Sequence, residues 1–519
     1  MLDLDRQEIK NAVGIFTDPN PSDLPPNAWN EGRNVRFKDG KAIKSQGHEA
    51  VFGALPGGRG PKYAMPYLSE ATPYWFVTGG DKIFRTEGTA YIDVSRAAPY
   101  STIPSAKWNG GFLSGVAIMN NGVDVPQFVT TFGGSQFADL TNWPVGLQAK
   151  VVRPFKNYLI ALNLTKTSVQ MPTVVKWSSP ADPGNVPFTW DETDPTNDAG
   201  ENPLADTAGA IVDGKKLRDQ FIIYKEDSVY TMRYIGGVFV FQFQQLFDDV
   251  GMISQNCAAE FDGKHFVVGQ GDVYVHNGVQ KNSVIEGKVK KALFDAIRAG
   301  SNNSVFVVPD YANSEMWVCF QSTAEAVSGS YCDRAAIYNW TTGLWTFRDL
   351  PQIVYATFGV IDPRTPDTWA SDPNPWDSDT TVWGNSTYNP AKNKILLVSE
   401  SNKATYSVGD TSLFGTSSFK STLMRTDLYG GDDLHFKNVN SITPHIKGSG
   451  ICNIYVGASQ IMDAPVRWQG PFPYKIGTDF KIDCRVQGRY IGVRFEFDSV
   501  GQWEFSGYTI ETNKLGGKR

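Results

Sequence analysis

The sequence predicts an all-β protein, consisting of a repeated unit of short strands followed by a smaller β domain. Three observations support this prediction. A strand–turn–strand pattern recurs along the chain, two-residue turns rich in Gly, Asn and Asp separate the apolar runs, and the character of the sequence changes after about residue 430.

The recurring pattern is an apolar strand, a tight polar turn and a second strand that carries an aromatic residue. It is clearest in Tyr74–Phe84, Gln220–Tyr230 and His265–Val275. The copies have anchors at Phe76, Val116, Leu159, Phe221, Phe266, Phe306 and Ile395, with steps of 40, 43, 62, 45, 40 and 89 residues. Steps of roughly 40 to 45 residues are typical of β-propeller blades. We therefore predict a β-propeller of six or seven blades, with an array of β-sandwiches as the alternative.

The most regular unit runs from Asn256 to Gln280. Its strands NCAAEF, KHFVVG and DVYVH are joined at Asp262-Gly263 and Gly271-Asp272, and a third turn follows at Asn277-Gly278. Two-residue turns of this composition favour β-hairpins. Three consecutive strands on such turns form a meander, and a fourth strand would complete a blade.

The rest of the chain divides into three parts. Residues 1–33 are rich in Pro and Asn and predict an extended arm, which leads into a hairpin with an Asp39-Gly40 turn. Residues 34–430 follow the strand-and-turn pattern and form the predicted propeller. Residues 431–519 contain short alternating strands and predict a small β-sandwich, with the boundary in Leu428–Leu434.

Three segments interrupt the propeller pattern. Glu286–Arg298 has helical spacing and an S-x-x-E start signal, so it predicts a surface helix. Trp190–Asp206 and Asp362–Thr381 combine carboxylates with Pro and predict long exposed loops. The first loop contains the oxygen donors Asp191, Asp194, Asn197 and Asp198, but it lacks the spacing of an EF-hand, and we predict no metal site.

Composition excludes several classes of protein. The formal net charge is −6, which argues against broad electrostatic capture of nucleic acid. No segment approaches the ~20 apolar residues of a membrane span, and the acidic N-terminus does not resemble a signal peptide, so we expect synthesis in a cytoplasm. The five cysteines have no C-x-x-C spacing and predict buried free thiols.

The sequence offers little catalytic chemistry, and we predict no enzyme and no cofactor. The five histidines lie in or beside predicted strands without a recognisable acidic partner, which favours structural roles. A G-x-S-x-G elbow and a phosphate-binding loop are both missing from the sequence. A glycosidase is the enzymatic alternative, but the nearest match to a sialidase Asp-box, SSPADPGNVPFTW at Ser178–Trp190, has the wrong spacing.

Several segments together resemble one protein family. They are WNEGRNVRFKDGKAIKSQG, with Trp29, Asn34 and Gly40; VVKWSSPADPGN with the downstream Trp190; FQQLFDDVGMISQNCAAEFDGKHFVVGQGDVYVHNGVQ with the helix after it; and the C-terminal GICNIYVGAS, VRWQGPF and GRYIGVRF. These segments resemble the tail nozzle, or hub, proteins of short-tailed bacteriophages (podoviruses), also described as packaged-DNA stabilisation proteins.

The resemblance implies a structural protein of the virion tail. It implies a propeller, usually six-bladed, that assembles as a homohexamer below the tail adaptor ring, with tail spikes or fibres as possible neighbours. Double-stranded DNA would be retained by this tube and ejected through it without sequence recognition.

This role leads to a prediction for the first acidic loop. A DNA conduit should repel phosphate, and six copies would carry a formal charge of −36, six times −6. We therefore expect this loop to face the lumen or a neighbouring subunit, with the candidate residues Asp191, Glu192, Asp194, Asp198 and Glu201. Two rivals remain, namely a structural protein of another assembly and a receptor- or glycan-binding propeller, for which Trp369 and Trp376 are the candidate aromatic residues.

Overall fold

The computed structural model describes residues 4–69, 72–103, 106–130, 135–237, 239–323, 329–361, 393–409 and 411–515. These residues form seven four-stranded sheets, one five-stranded sheet and one six-stranded sheet. Helical structure in the described ranges comprises the α-helix α1 (Lys290–Ala296) and 3-10 turns at Pro21–Asp23, Pro56–Gly58 and Asn302–Ser304. No helix in these ranges is long and apolar enough to cross a membrane.

Seven antiparallel sheets are the blades of a β-propeller. Five strands precede the first complete blade: β1 (Leu4–Lys10), β2 (Glu31–Arg33), β3 (Val35–Lys38), β4 (Lys41–Lys44) and β5 (His48–Val51). Blade 1 contains β6 (Tyr63–Ser69), β7 (Thr72–Thr78), β8 (Ile83–Glu87) and β9 (Ala90–Asp93); blade 2 contains β10 (Asn109–Leu113), β11 (Val116–Asn120), β12 (Gln127–Val129) and β13 (Ala138–Asp139). Blade 3 contains β14 (Leu147–Phe155), β15 (Tyr158–Lys166), β16 (Val169–Trp177) and β17 (Gly200–Pro203); blade 4 contains β18 (Ile211–Leu217), β19 (Gln220–Lys225), β20 (Val229–Tyr234) and β21 (Phe241–Phe247). Blade 5 contains β22 (Ala258–Phe261), β23 (Lys264–Val268), β24 (Val273–His276) and β25 (Lys281–Ser283); blade 6 contains β26 (Phe306–Asp310), β27 (Glu315–Phe320), β28 (Cys332–Asn339) and β29 (Trp345–Ile353). Blade 7 contains β30 (Tyr355–Val360), β31 (Asn393–Ser399), β32 (Ala404–Val408) and, from the N-terminal part of the chain, β5.

The seven blades answer the question of blade number that the sequence left open. Each of the seven sequence anchors lies in a different blade, so the six blades that the resemblance favoured are one too few. The step of 62 residues is long because an insertion separates β16 from β17. The step of 89 residues is long for two reasons: Phe306 lies on a first strand and Ile395 on a second, and residues 361–392 separate β30 from β31.

In the most regular unit, the sequence correctly predicts the turn between the first two strands. The predicted Asp262-Gly263 turn joins β22 to β23, with φ of 47° and 68° at the two residues. Positive φ at both central positions is the mark of a type I′ hairpin turn, which matches the right-handed twist of the strands. The predicted helix is shorter than expected, since α1 covers only seven residues of the segment.

Packing between neighbouring blades closes the ring. Separate apolar clusters join blades 1 and 2, 2 and 3, 3 and 4, 6 and 7, and 7 and 1, while one large cluster joins blades 4, 5 and 6. Blade 7 is completed where β5 pairs antiparallel with β32. Trp75 of blade 1 is buried and donates its indole N–H to Val360 O of blade 7 at 2.8 Å. All five cysteines are buried free thiols, as predicted.

The remaining strands form a two-sheet sandwich. They are β33 (Lys420–Leu428), β34 (Phe436–Gly448), β35 (Ile451–Ser459), β36 (Arg467–Lys475), β37 (Ile482–Gly488), β38 (Tyr490–Asp498) and β39 (Trp503–Leu515), together with β1 to β4. One sheet has the order β3-β4-β39-β34-β37, with β1 also paired to β39, and the other has the order β2-β33-β38-β35-β36. Trp29 lies between them against Phe495, Phe505 and Tyr508.

The sheet pairing divides the chain differently from the predicted boundaries 1–33, 34–430 and 431–519. The segment predicted as an extended arm contributes β1 and β2 to the sandwich, and the Asp39-Gly40 hairpin is also part of the sandwich. Strands β6 to β32 with β5 make the propeller, and β33 already belongs to the sandwich. The local sequence could not indicate this, because β1 pairs with residues about 500 positions away in the chain.

The sandwich is fixed to the outer strand of blade 6. Asn34 donates its side-chain N–H to Asp349 Oδ2 at 2.8 Å and accepts the Asp349 backbone N–H at 2.9 Å. Arg33 pairs with the same carboxylate at 2.6 Å, and Arg36 pairs with the buried Glu315 at 2.7 Å. Polar contacts on buried groups of this kind set the relative position of two packed units.

Candidate functional site

The first acidic insertion lies on blade 3. Its residues 190–199 lie in the connection from β16 to β17, the third and fourth strands, and this part extends from the outer half of the blade. Glu201 lies on β17 itself and not in an exposed loop as predicted. Asp191 and Glu192 are exposed, whereas Asp194, Asp198 and Glu201 are half-buried. The structure thus separates the predicted residues into groups with different surroundings.

Two of the predicted acids pair with lysines on the neighbouring strands. Glu192 and Glu201 both contact Lys166 of β15 and Lys176 of β16, with 3.4 Å between Lys166 and Glu192 and 3.5 Å between Lys176 and Glu201. The pairs Lys176–Glu192 and Lys166–Glu201 are closer still. The Lys176 side chain is only 2% exposed, so its cation depends on these carboxylates. The two carboxylates of this cluster therefore balance the charges of its two lysines.

The pKa of Glu192 reflects this pairing. Burial disfavours its ionised form, but the hydrogen bond from Lys176 and the charges of Lys176 and Lys166 outweigh that cost and lower its pKa to about 2. Desolvation disfavours the charged form of Lys166, but the hydrogen bond and charge of Glu201, together with Glu192, raise its pKa. Glu192 is therefore ionised over the whole neutral range.

The other three acidic residues accept hydrogen bonds, two of them from within the insertion and the third from Tyr158 of β15. Asp191 accepts the Thr193 backbone N–H at 2.9 Å, and Asp194 accepts that of Thr196 at 2.9 Å. Asp198 accepts the Tyr158 hydroxyl at 3.0 Å. In the described part of the chain, no three His, Cys, Asp or Glu side chains lie close enough together to hold a metal ion.

An apolar surface adjoins the insertion. Tyr158 packs against Tyr234 of blade 4 at 5.9 Å, and the connection from β20 to β21 exposes Ile235 and Phe239, the latter at 76%. Phe188, on the β16–β17 connection just before Trp190, is exposed to the same degree. Both connections join the third to the fourth strand of a blade, so they lie on the same face of the propeller. The sequence carried a signal for this surface in the apolar residues around Gly236-Gly237, which we did not single out.

The predicted aromatic residues Trp369 and Trp376, like the whole second acidic insertion, lie outside the described residues.

A second candidate site lies at the centre of the ring, where the first strands of the blades begin. A cavity of about 760 Å³ opens there and receives side chains from blades 1, 2, 5, 6 and 7. Its walls include Lys107, Trp108 and Tyr355. Next to it, Arg153 of β14 binds Asp213 of β18 through two hydrogen bonds of 2.9 and 3.0 Å. Sequence reasoning missed this site because its residues come from blades that are far apart in sequence.

The histidines occupy packed positions. Tyr224 of blade 4 lies 2.6 Å from His265 Nδ1 and 2.7 Å from His276 Nε2 of blade 5. His265 Nε2 donates to Lys216 O and His276 Nδ1 accepts the Gly278 N–H, so the Tyr224 hydroxyl accepts from His276 and donates to His265. Burial lowers the pKa of His265 to about 3 and that of His276 to about 4, and both are neutral at pH 7.

Comparison with known proteins gives only remote structural similarities. No family model matches the chain, and no curated protein sequence matches it either. Among solved structures, the WD40 β-propeller domain of Doa1 aligns with a TM-score of 0.40 and 9% identity, over 72% of this chain and 100% of that one. BBS1N, in its complex with ARL6DN, gives 0.38 and 9%, over 69% and 92%. PorZ, a surface component of the type-IX secretion system of Porphyromonas gingivalis, gives 0.34 and 7%, over 84% of this chain and 46% of PorZ.

Proposed function

We propose that the chain is a structural protein of a bacteriophage tail, the nozzle through which packaged DNA is retained and later ejected. Six copies form a ring below the tail adaptor, and the protein works as a wall and not as an enzyme. It is made in the host cytoplasm and ends in the tail of the virion.

The observation that carries this proposal is the packing of the segments that resemble nozzle proteins. The opening segment supplies Trp29, the long segment of blades 4 and 5 supplies Phe266, and the helix after it supplies Leu293. The C-terminal segments supply Ile454 and Val493, and all five side chains belong to one continuous apolar core. These segments therefore pack together in one unit, as the rigid wall of the proposed tube requires.

Electrostatics is compatible with this role. Within the acidic insertion, the charges of Glu192 and Glu201 are balanced by two lysines, while Asp191, Asp194 and Asp198 have no cationic partner among the described residues. Three unbalanced carboxylates per subunit would repel DNA phosphates if they face the lumen. At a subunit interface, they would instead favour a partner surface of complementary charge.

We place a subunit contact at the apolar surface beside this insertion. Exposed aromatic side chains next to a charged rim are typical of protein interfaces. Phe239→Asp should therefore reduce ring assembly. Val279→Asp is the matched control, because Val279 is equally exposed at 76% and lies on the corresponding β24–β25 connection of blade 5.

The decisive test is electron microscopy of virus particles whose genome carries this gene, with and without an amber mutation in it. We expect mutant particles to lack the distal tail tube and to lose DNA, and the purified protein to restore the tube as a hollow six-fold ring. Complete tails in the mutant would overturn the proposal. A loss of tail fibres or host adsorption with an intact tube would instead favour the receptor-binding alternative.

A further inference from the structure

The central cavity has the features of a ligand site that the nozzle role does not require. It lies on the face where β6, β22, β26 and β30 begin, and its volume of about 760 Å³ is within the usual range of small-molecule sites. Five blades contribute to its wall, so the cavity is held in shape by the closed ring and not by one loop.

Lys107 brings an unbalanced positive charge to this cavity. Its Nζ donates to Ser254 Oγ at 2.7 Å, and that hydroxyl donates to Asn303 O at 3.0 Å. No carboxylate of the described residues lies within ion-pair distance of Lys107, and burial lowers its pKa. By contrast, Lys62 on the rim of the same cavity is paired with Glu400 at 3.2 Å. One of the two lysines therefore has room for an anionic partner.

Asn256 adds an unused hydrogen-bond donor. Its Oδ1 accepts from Arg153 at 2.8 Å and its backbone N–H donates to Asp213 at 2.9 Å, which fixes the side chain in place. The Asn256 side-chain NH₂ has no acceptor among the described residues, although Asn256 lines the cavity. Because Arg153 and Asp213 neutralise each other, the charge that a ligand meets is that of Lys107.

Aromatic residues complete the wall. Trp108, Tyr63, Tyr331 and Tyr355 all line the cavity, with the rings of Tyr63 and Tyr355 4.7 Å apart. Aromatic faces next to amide and hydroxyl groups suit the apolar face and the hydroxyl groups of a sugar ring.

We propose that this cavity binds a small acidic saccharide, with its carboxylate between Lys107 and the Asn256 NH₂ and its ring against the tyrosines. A uronic acid or sialic acid residue has this combination of one carboxylate and several hydroxyl groups. The site is independent of the proposed tail assembly and would exist in the free subunit.

The test is calorimetric titration of the full chain with D-glucuronic acid and with N-acetylneuraminic acid, against glucose and inorganic phosphate. For a monosaccharide of this size we expect a dissociation constant on the order of 1 mM for an acidic sugar. We expect binding at least about ten-fold weaker for Lys107→Met, recovery with Lys107→Arg, and no change for Lys264→Met, an exposed lysine on blade 5. An increase in the melting temperature of the wild type with acidic sugar but not with glucose gives a second readout that needs no variant.

Several results would overturn the proposal. They are equal binding of glucose, binding of phosphate as tight as that of the acidic sugars, unchanged affinity in Lys107→Met, or no binding and no thermal shift with either acidic sugar.

Discussion

The ion cluster on blade 3 allows one prediction to be worked through in detail. Lys176 is almost completely buried, and its cation is balanced by Glu192 and Glu201. Removing both carboxylates in Glu192→Gln/Glu201→Gln leaves a buried, uncompensated charge, and we expect a loss of about 3–5 kcal/mol of stability. Either single substitution leaves one carboxylate near Lys176, and we expect a loss of about 1–2 kcal/mol from each.

Urea unfolding followed by tryptophan fluorescence measures these differences, with proteolysis of the insertion as a local readout. Adding Lys176→Met to the double variant should recover much of the stability, because an apolar side chain can replace a buried ion pair at little cost. Asp191→Asn is the control, since this exposed residue keeps its hydrogen bond to the Thr193 backbone, and it should change stability by no more than about 0.5 kcal/mol. A double variant as stable as Asp191→Asn would refute the reasoning.

The pH dependence of this cluster has a definite sign. The pKa of Glu192 is lowered from 4.5 to about 2, so the folded protein holds its carboxylate ionised where the unfolded chain would bind a proton. The stabilisation by Glu192 is therefore complete above about pH 4.5 and is lost as the pH falls towards 2. The difference in urea midpoint between the wild type and Glu192→Gln should shrink over that interval, and a difference that grows on acidification would contradict the assignment.

Four further predictions concern other parts of the fold, and each is measured by the urea unfolding midpoint. Asp213→Asn leaves the Arg153 cation without its carboxylate and should cost about 3–5 kcal/mol, whereas the double variant with Arg153→Met should cost less; equal losses would contradict the pairing. Tyr224→Phe removes the hydroxyl between two buried histidines and should cost about 1–3 kcal/mol. Because those histidines have pKa values lowered to about 3 and about 4, wild-type stability should be greatest above about pH 6.5 and fall as the pH decreases towards 4; a flat profile would contradict this. Asn34 has φ of 58°, so Asn34→Ala should lose about 1 kcal/mol more than Asn34→Gly, and equal losses would show that backbone strain is unimportant there.

The parts of the fold that the sequence predicted depend on local physics. Short stretches of the chain determine the Asp262-Gly263 turn, the alternating strands beside it and the recurring blade step. The assignment of residues 1–33 differed from the structure because a strand such as β1 is defined by its partner β39 and not by its own composition. The fourth strand of blade 7 could not be predicted for the same reason, because β5 pairs with β32 across the whole propeller sequence.

The candidate sites show the same limit. The acidic residues of the insertion were evident in the sequence, but the neutralisation of two of them by lysines was not. Lys166 and Lys176 lie on strands that only the folded blade places beside these carboxylates. The charge density of a loop therefore does not indicate how much charge it presents. The central cavity has no sequence pattern at all, since Lys107, Asn256 and Tyr355 are brought together only by closure of the ring.

The route of the chain couples the sandwich to closure of the propeller. The chain enters blade 7 after β4 and leaves it before β33, so both connections start or end in the sandwich. The two connections are hydrogen-bonded to each other, Gly47 N–H to Thr411 O at 2.7 Å and His48 N–H to Leu413 O at 2.9 Å. A Cβ at Gly47 would lie 2.2 Å from Leu413 O, so this close approach requires glycine. The strand β5 that completes blade 7 is therefore held next to the connections that lead into and out of the sandwich. Closure of the propeller and packing of the sandwich are thus coupled where these two connections meet.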